Sequence, residues 1–435
     1  MRSTRLAGGL WAALWILSLA FLAIWLVSAV LPVRPSEEAE AYFREVFLLK
    51  ARRRATLAYV SSGLNTLAMF GALYLVARLA ARRPILSWAA RGELTLLKCA
   101  GSGFLLGLGA AALFSAVSLP FGIYRLYLER GFGLSRMTLP AYLLDYGKST
   151  MLSAAMYSLA GGFAAMAFAR FPRTWHFLLG GAFLLASLVV GAIYPTLIAP
   201  LFDKFHPLPP GPVLSDVREL ADKAGMQVDR VLVMEASAKT TRMNAYFAGI
   251  GGSKQVVLYD TLLARDSREQ VRLVVAHELG HWKLGHVVRA ILISAAGVFA
   301  ALWLFRAAFW AAGAGVGGIA GVAAADAMDV AAVAGAGQAY GLPYVDLERF
   351  LASLLVFAAL AGYVLTPASS YVSRTFEVQS DAYSLQLTGD RAAFVSTQVS
   401  LAMANLGDID PPPFIRWFAW THPTTLERIR AASQP

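Results

Sequence analysis

Cysteine and charge are both scarce in this chain of 435 residues. Cys99 is the only cysteine, which excludes an intramolecular disulfide and a zinc site built from several thiolates. Charged residues make up 15% of the sequence, against about 25% in soluble globular proteins. Hydrophobic residues make up 57%, and the mean hydropathy is +0.56. The scarcity of charge therefore excludes an ordinary soluble protein and predicts a multi-pass integral membrane protein.

Six or seven apolar stretches are long enough to cross a bilayer, which takes about 20 residues. They lie near 9–32, 56–80, 94–119, 149–169, 175–197, 287–312 and 347–372. The first stretch could be a signal peptide ending near Val27-Ser28-Ala29, but its long, Trp-rich apolar core favours a membrane anchor. The pattern predicts an α-helical integral membrane protein with about seven transmembrane helices.

The chain carries a net charge of +11, which raises the question of a polyanionic partner. Its basic residues cluster in short loops between the apolar stretches, as in Arg52-Arg53-Arg54, in Arg82-Arg83, and in Arg170 with Arg173. This distribution favours anionic lipid headgroups. We therefore expect membrane lipids as partners and no nucleic acid.

Four regions follow from this pattern. Residues 1–197 form an N-terminal transmembrane region of about five spans, and residues 198–286 form the main polar segment. Residues 287–373 hold two further spans joined by an Ala/Gly-rich loop at 311–340, and residues 374–435 form a C-terminal part. Strand-like runs at 231–234, 243–250 and 255–259 predict a small α+β unit within the polar segment.

Residues 277–281 read His-Glu-Leu-Gly-His, an H-E-x-x-H pattern. On a helix, His277 and His281 share one face and can hold one metal ion, while Glu278 can act as a general base on an activated water. Ser267 and Gln270 stand at capping-box spacing just before, which places the motif on a helix. Zn²⁺ suits this ligand set, so the motif predicts zinc-dependent peptide hydrolysis. The alternative is a pair of structural histidines on a partly buried helix.

The two histidines leave a third protein ligand to be found later in the chain. Glu377 and Asp381 are four residues apart on a predicted helix, so Glu377 is the candidate ligand and Asp381 a candidate partner for a histidine ring N–H. An ordinary solvated acid pair is the alternative. His422, with Arg428 one to two turns later, would by itself more often be structural than catalytic, and His286 is predicted to lie on the wrong face to share the metal.

Together these segments resemble the type I CAAX prenyl proteases, which are integral-membrane zinc metalloproteases. The likeness covers the chain from about residue 30 to its end, and it rests on the segments at 129–148, 194–205, 244–247, 277–286, 376–382 and 421–423. Ser380 departs from the alanine that is common in the family, and the loop at 311–340 is not a family feature. The composition, rich in Ala, Gly and Arg, hints at a bacterial source.

The resemblance implies one Zn²⁺ per chain, held by His277, His281 and Glu377, and a small zincin-like metalloprotease domain. Glu278 would serve as the general base and then as proton donor to the leaving amine. The remaining implied site residues are Asp381 and Arg428 close to the metal, His422 as a donor to the developing oxyanion, and Asn244 with Ala245 on a strand that pairs with an extended substrate. The seven helices would enclose a chamber that contains the site at its cytosolic end.

Three functions remain open on these grounds. The first is removal of the last three residues from a prenylated CAAX peptide, and the second is quality control of non-prenylated apolar peptides in the membrane. The third is a non-catalytic transporter or scaffold, with Asp145 and Lys148 as part of a transport path. A protease would act on a peptide or protein substrate, in the cytoplasmic membrane of a bacterium or the endoplasmic reticulum of a eukaryote.

Overall fold

The structure is a computed structural model that describes residues 2–82, 95–228, 230–250, 254–313 and 344–433. Its helices are α1 (Arg2–Val30), α2 (Glu37–Tyr42), α3 (Glu45–Arg82), α4 (Leu96–Gly131), α5 (Leu139–Arg170), α6 (Trp175–Ile193), α7 (Pro212–Lys223), α8 (Asp260–Leu263), α9 (Arg268–Lys283), α10 (His286–Gly313), α11 (Tyr344–Val364), α12 (Thr366–Thr388), α13 (Arg391–Asn405), α14 (Pro413–Ala419) and α15 (Thr425–Ser433). Its strands are β1 (Phe205–Pro207), β2 (Val231–Met234), β3 (Ala245–Ala248) and β4 (Gln255–Tyr259). The turn at 251–253 and most of the Ala/Gly-rich loop lie outside the described residues.

Within the described ranges, seven helices are long and apolar enough to cross a membrane, as the sequence predicts. They are Gly9–Val30, Glu45–Leu79, Leu96–Gly131, Leu139–Arg170, Trp175–Leu201, His286–Phe309 and Leu347–Val364. Several extend beyond the apolar runs, because helical hydrogen bonding continues through polar turns that a hydropathy pattern does not register. The protein is therefore a multi-pass integral membrane protein.

The last predicted span is too long at its C-terminal end. It was expected to continue to residue 372, but α11 stops at Val364 and α12 begins at Thr366 with Pro367 in its first turn. Proline fits the first turn of a helix, where its missing N–H is not needed, and it interrupts a helix interior. The break starts a new helix, and that helix carries Glu377 and Asp381.

Helices α4 and α5 pack closely through glycines. A Cβ atom at Gly103 would lie 2.2 Å from the carbonyl oxygen of Gly161, and one at Gly107 would lie 2.1 Å from that of Tyr157. Small residues spaced four apart allow helix backbones to approach in this way within a membrane. This contact fixes the positions of two spans whose polar ends meet the protease segment.

The polar segment forms a four-stranded sheet with strand order β1-β2-β4-β3. Strands β2 and β4 are parallel, and β3 is antiparallel to β4 at one edge. A hydrophobic core that includes Val217, Val256 and Val275 joins α7 and α9 to this sheet. Helix α9 begins with the predicted capping box of Ser267 and Gln270. The core thus holds the helix that carries the H-E-x-x-H motif against the sheet.

The arginine cluster at residues 52–54 does not face lipid as a whole. Arg52 forms an ion pair with Asp408 at 3.1 Å, and Arg54 lies against Glu129. Arg53 is the exposed member of the three. Because consecutive helical residues point about 100° apart, a run of three cannot face one surface. The expected lipid contact is therefore wrong for Arg52 and Arg54.

Candidate metal centre

His277 and His281 lie one turn apart on α9, and their Nε2 atoms are 3.1 Å apart. Helix α12 crosses α9 at this level and brings Glu377 beside both rings. The crossing is close because α9 has Gly280 there, where a Cβ atom would lie only 3.1 Å from the Cα atom of Ser380. The sequence thus provides both the ligand spacing and the small residue that lets the second helix approach.

The three side chains offer donor atoms at spacings that suit a tetrahedral ion. Glu377 Oε2 lies 3.3 Å from His277 Nε2, and Glu377 Oε1 lies 3.3 Å from His281 Nε2. A tetrahedral zinc ion with bonds of about 2.0–2.1 Å would hold its ligand atoms about 3.3–3.4 Å apart. Among the described residues, this trio is the group of histidines and acids close enough to share an ion. The donor set therefore fits a zinc-sized cation.

Asp381 and Arg428 support the outer side of His277. Asp381 Oδ1 lies 2.9 Å from His277 Nδ1, and Arg428 Nε donates to Asp381 Oδ2 at 2.8 Å. Burial by itself would lower the pKa of His277, but the carboxylates of Asp381 and Glu377 raise that pKa to about 9. A metal ligand needs a neutral ring, in which a proton on Nδ1, the nitrogen that faces Asp381, leaves the Nε2 lone pair directed at the trio.

His286 and Gln379 support His281 in the same way, a role that the sequence did not predict for either residue. Gln379 Oε1 lies 3.0 Å from His286 Nε2, and His286 Nδ1 lies 3.0 Å from His281 Nδ1. If His286 donates to Gln379, it accepts the Nδ1 proton of His281 and leaves His281 Nε2 free to bind a cation. The available signal was Gly285, whose φ of +67° ends α9 and starts a new helix at His286.

Glu377 is charged and surrounded by imidazoles. Burial opposes its ionisation, yet the contacts with His277 and His281 hold the pKa of Glu377 well below its usual range. His422 Nδ1 lies 2.8 Å from Glu377 Oε2, while 60% of the His422 side chain is exposed. The buried carboxylate can therefore serve a cation, and the exposed face of His422 remains open to a ligand.

Glu278 connects the motif to the edge of the sheet. Its Oε2 accepts a hydrogen bond of 3.1 Å from the backbone N–H of Phe247 on β3. Burial raises the pKa of Glu278 above its ordinary value. A carboxylate next to the donor trio can exchange a proton with a water or an amine placed there.

Asn244 and Ala245 lie at the start of the same edge strand. The carbonyl of Asn244 accepts from the N–H of Tyr259 on β4, so alternation turns the backbone groups of Ala245 and Phe247 away from β4. The Ala245 side chain is buried, whereas Asn244 is exposed. Ala245 can therefore offer only its backbone to an extended chain, and Asn244 can offer its side chain.

All nine predicted site residues lie in this part of the fold. His277, His281 and Glu377 are close together, with Asp381 and Arg428 behind them. His422 contacts Glu377, and Glu278 links the trio to the strand that carries Asn244 and Ala245. Their positions agree with the predicted roles, and the roles themselves stay predictions.

Comparisons with known proteins match two consecutive parts of the chain. Residues 208–435 match the family model described as Peptidase family M48. Residues 54–204 match the model described as CAAX prenyl protease N-terminal, five membrane helices. The boundary between the matches falls at β1, the first strand of the sheet, near the predicted start of the polar segment.

Several curated proteins are similar over most of their length. The chain is 28% identical to CAAX prenyl protease 1 of Saccharomyces cerevisiae, covering 74% of this chain and 70% of that protein. It is 30% identical to CAAX prenyl protease 1 homolog of Arabidopsis thaliana, covering 72% and 69%. It is 28% identical to Uncharacterized metalloprotease YhfN of Bacillus subtilis, covering 78% and 74%.

One solved structure has a similar fold over the whole chain. The match, "Crystal Structure of S. mikatae Ste24p", has a TM-score of 0.71 and 21% identity, and it covers 100% of this chain and 99% of the other. At that identity the likeness concerns the fold alone. It agrees with the predicted arrangement of seven membrane helices and a small sheet in the protease segment.

Proposed function

This chain belongs to peptidase family M48, among the membrane metalloproteases of the type I CAAX prenyl protease family, and we propose that it is a zinc endopeptidase processing prenylated C-terminal CAAX peptides. The observation that carries the proposal is the spacing of the donor trio, which fits tetrahedral zinc, next to an open strand edge. Family membership implies a metal ion and a peptide or protein substrate, and membrane insertion implies contact with lipids. Zinc and prenylation belong to the proposal.

His277, His281 and Glu377 would hold one zinc ion per chain. When bound, the ion supplies Lewis acidity, which polarises the scissile carbonyl and makes a neighbouring water more acidic. Asp381 and His286 keep the ring protons of the two histidines on Nδ1, so both Nε2 atoms stay available. Arg428 holds Asp381 in place through two hydrogen bonds.

Glu278 would take a proton from the attacking water and later deliver it to the leaving amine. Its raised pKa suits both steps, because a general acid–base works best with a pKa near the working pH. Its hydrogen bond to Phe247 fixes the carboxylate beside the strand on which the peptide would lie. The exposed ring of His422 would donate to the oxygen that becomes negative as the carbonyl is attacked.

The substrate would pair with the free edge of β3 as an added strand. The outward backbone groups of Ala245 would bond the peptide main chain, and the Asn244 side chain would add a further contact. An extended conformation exposes one peptide bond at a time to the trio. This arrangement favours an extended, unfolded segment as the substrate.

A second protease function remains compatible with the same residues. Quality control of non-prenylated apolar peptides needs the same metal, base and strand, and the relative from Bacillus subtilis is named only as a metalloprotease. We do not retain the transporter or scaffold interpretation, because the chain belongs to a peptidase family. Asp145 and Lys148 form an ion pair with each other, which gives them a structural role.

The test is cleavage of matched farnesylated and unmodified CAAX peptides by the detergent-purified protein. Glu278→Gln should keep its zinc and lose activity by about 100-fold or more, since it removes the base and spares the ligands. Cleavage that needs both the lipid and Glu278 would support prenyl-protein processing. Equal cleavage of both peptides would favour quality control, and full activity of Glu278→Gln would refute the mechanism.

A further inference from the structure

A polar cavity of about 350 Å³ is lined by residues of α1, α3 and α4 and by the segment just before β3. Three guanidinium groups line it, those of Arg54 on α3, Arg125 on α4 and Arg242 just before β3, and we call it the arginine cavity. Trp25, Tyr59 and Trp420 form an aromatic part of its wall. Arginines from three separate segments thus converge on one space that is large enough for part of a peptide.

The three guanidinium groups have one carboxylate between them. Arg54 and Arg242 both bind Glu129, with Arg242 at 2.7 Å from its Oε2. Among the residues that the structure describes, Arg125 forms no ion pair. Asp408 also lines the cavity, but it already binds Arg52 and Tyr59. The cavity therefore has an excess of positive charge and favours an anionic group.

The charges influence one another across the cavity. Burial and the charge of Arg54 lower the pKa of Arg242, and Arg125 acts in the same direction. The guanidinium groups nevertheless remain charged, because arginine does not lose its proton in proteins. An anion bound between them would relieve this repulsion and make hydrogen bonds to charged donors, which are among the strongest in proteins.

Two chain segments connect the arginine cavity to the proposed active site. Arg242 is two residues before Asn244, and Trp420 is two residues before His422. Asn405 fixes the first segment, because its side chain accepts from the N–H of Met243 at 2.9 Å and donates to the Met243 carbonyl at 3.0 Å. The cavity therefore lies beyond the N-terminal end of β3.

The direction of the substrate decides which of its ends comes near the cavity. A peptide antiparallel to β3 runs its C-terminal residues past Asn244 toward Arg242. An extended strand rises about 3.3 Å per residue, so three residues beyond the cleaved bond reach about 10 Å. Arg242 lies three residues before Ala245, on the side of the strand that the C-terminal residues of such a peptide would reach.

We propose that the arginine cavity binds the free α-carboxylate of the substrate, with Arg125 as the main specificity determinant and with Arg54 and Arg242 beside it. The inference rests on the proposed function, and it identifies the contact that would set the length of the released peptide. A bound carboxylate about three residues past the metal centre places one particular bond at the donor trio. Peptides that lack a carboxylate at that position would bind without a contact that holds one particular bond at the donor trio.

The test compares farnesylated CAAX peptides that end in a free acid or in a neutral amide. The wild-type protein should cleave the acid with a kcat/KM about 10- to 100-fold higher, as expected for hydrogen bonds between charged groups. Arg125→Gln should remove most of this preference, chiefly through KM for the acid. Arg53→Gln is the matched control, since Arg53 is a neighbouring exposed arginine outside the cavity and should keep the preference.

Each other outcome has a distinct meaning. Equal cleavage of acid and amide by the wild type, still dependent on Glu278, would overturn the carboxylate site and leave the proposed function intact. No cleavage of either peptide would count against the proposed function itself. A phospholipid headgroup presents similar anionic oxygens, so the assay is repeated with an anionic phospholipid added to neutral detergent. Loss of the acid preference on that addition, with the amide rate unchanged, would assign the cavity to the headgroup and refute the proposal.

Discussion

Replacing Asp381 with asparagine should weaken zinc binding while the three proposed ligands stay in place. In the wild type, Asp381 Oδ1 lies 2.9 Å from His277 Nδ1, and the same carboxylate binds Arg428. Asparagine has a similar shape, but it is neutral and turns an NH₂ group toward one of these partners. Asparagine therefore cannot accept from both the Nδ1 proton of His277 and the guanidinium of Arg428.

These contacts give the expected loss of zinc affinity and of folding free energy. Loss of a carboxylate behind a metal-bound histidine costs about 10- to 100-fold in affinity, or about 1.4–2.7 kcal/mol. Arg428 would also stay buried without its carboxylate, which costs about 3 kcal/mol of folding free energy. The variant should thus bind zinc more weakly and unfold at a lower temperature.

The assay is competition for zinc with a chelator of known affinity, at pH 7 and well below the unfolding temperature. Asp390→Asn is the matched control, because it makes the same charge change where Asp390 only caps α13. Asparagine caps a helix about as well as aspartate, so this control should match the wild type. A folded Asp381→Asn protein with wild-type zinc affinity would refute the role given to Asp381.

Three further predictions concern the strand, the membrane helices and acid stability. Asn244→Ala should lower kcat/KM for peptides by about tenfold with zinc content unchanged, and wild-type kinetics would remove Asn244 from the substrate site. Gly107→Ala should lower the free energy of unfolding by about 1–3 kcal/mol, because the added Cβ atom would meet the backbone of α5. Gly109→Ala is the control, since Gly109 has open space around it and its substitution should not lower the stability. Equal stabilities of the two variants would contradict the close packing of α4 and α5. Asp216→Asn should cost about 1–2 kcal/mol at pH 7, because Arg268 is the main cause that lowers the pKa of Asp216. Because the pKa of Asp216 is lower in the folded state, its contribution to stability is complete above the unfolded-state pKa of about 3.9 and is lost as the pH falls further. The thermal unfolding temperatures of the wild type and Asp216→Asn should therefore converge in acid. A constant difference between them down to about pH 3 would contradict this.

The local features of this chain could be predicted from the sequence. The capping box at Ser267 and Gln270 and the strand Val231–Met234 appear where the sequence predicts them. Each depends on hydrogen bonds or periodicity within a few residues. The seven spans were predictable for a related reason, since a bilayer imposes its thickness on any helix that crosses it.

The residues that support the metal ligands, and the partners of the buried arginines, were harder to predict from the sequence. His286 was expected only to lie on the wrong face to share the metal, and its contact with His281 was not foreseen, because Gly285 breaks the helix between them. Arg52 and Arg54 were assigned to lipid by composition, and their carboxylate partners lie far away in the chain. Spacing rules extend along one regular helix and fail at a break or across a tertiary contact.

The sequence by itself determined the class of this protein, its membrane spans and the chemistry of the H-E-x-x-H helix, because hydropathy and helical spacing act within single segments. Helical spacing alone left Glu377 as a choice between a ligand and a solvated acid, and the family resemblance implied a ligand. Only the tertiary structure decided that α12 crosses α9 at Gly280, which brings the Glu377 carboxylate within 3.3 Å of both imidazoles. It also decided that three distant arginines share one cavity. Such convergence depends on how helices pack against one another, and that packing is set by contacts between residues far apart in the chain.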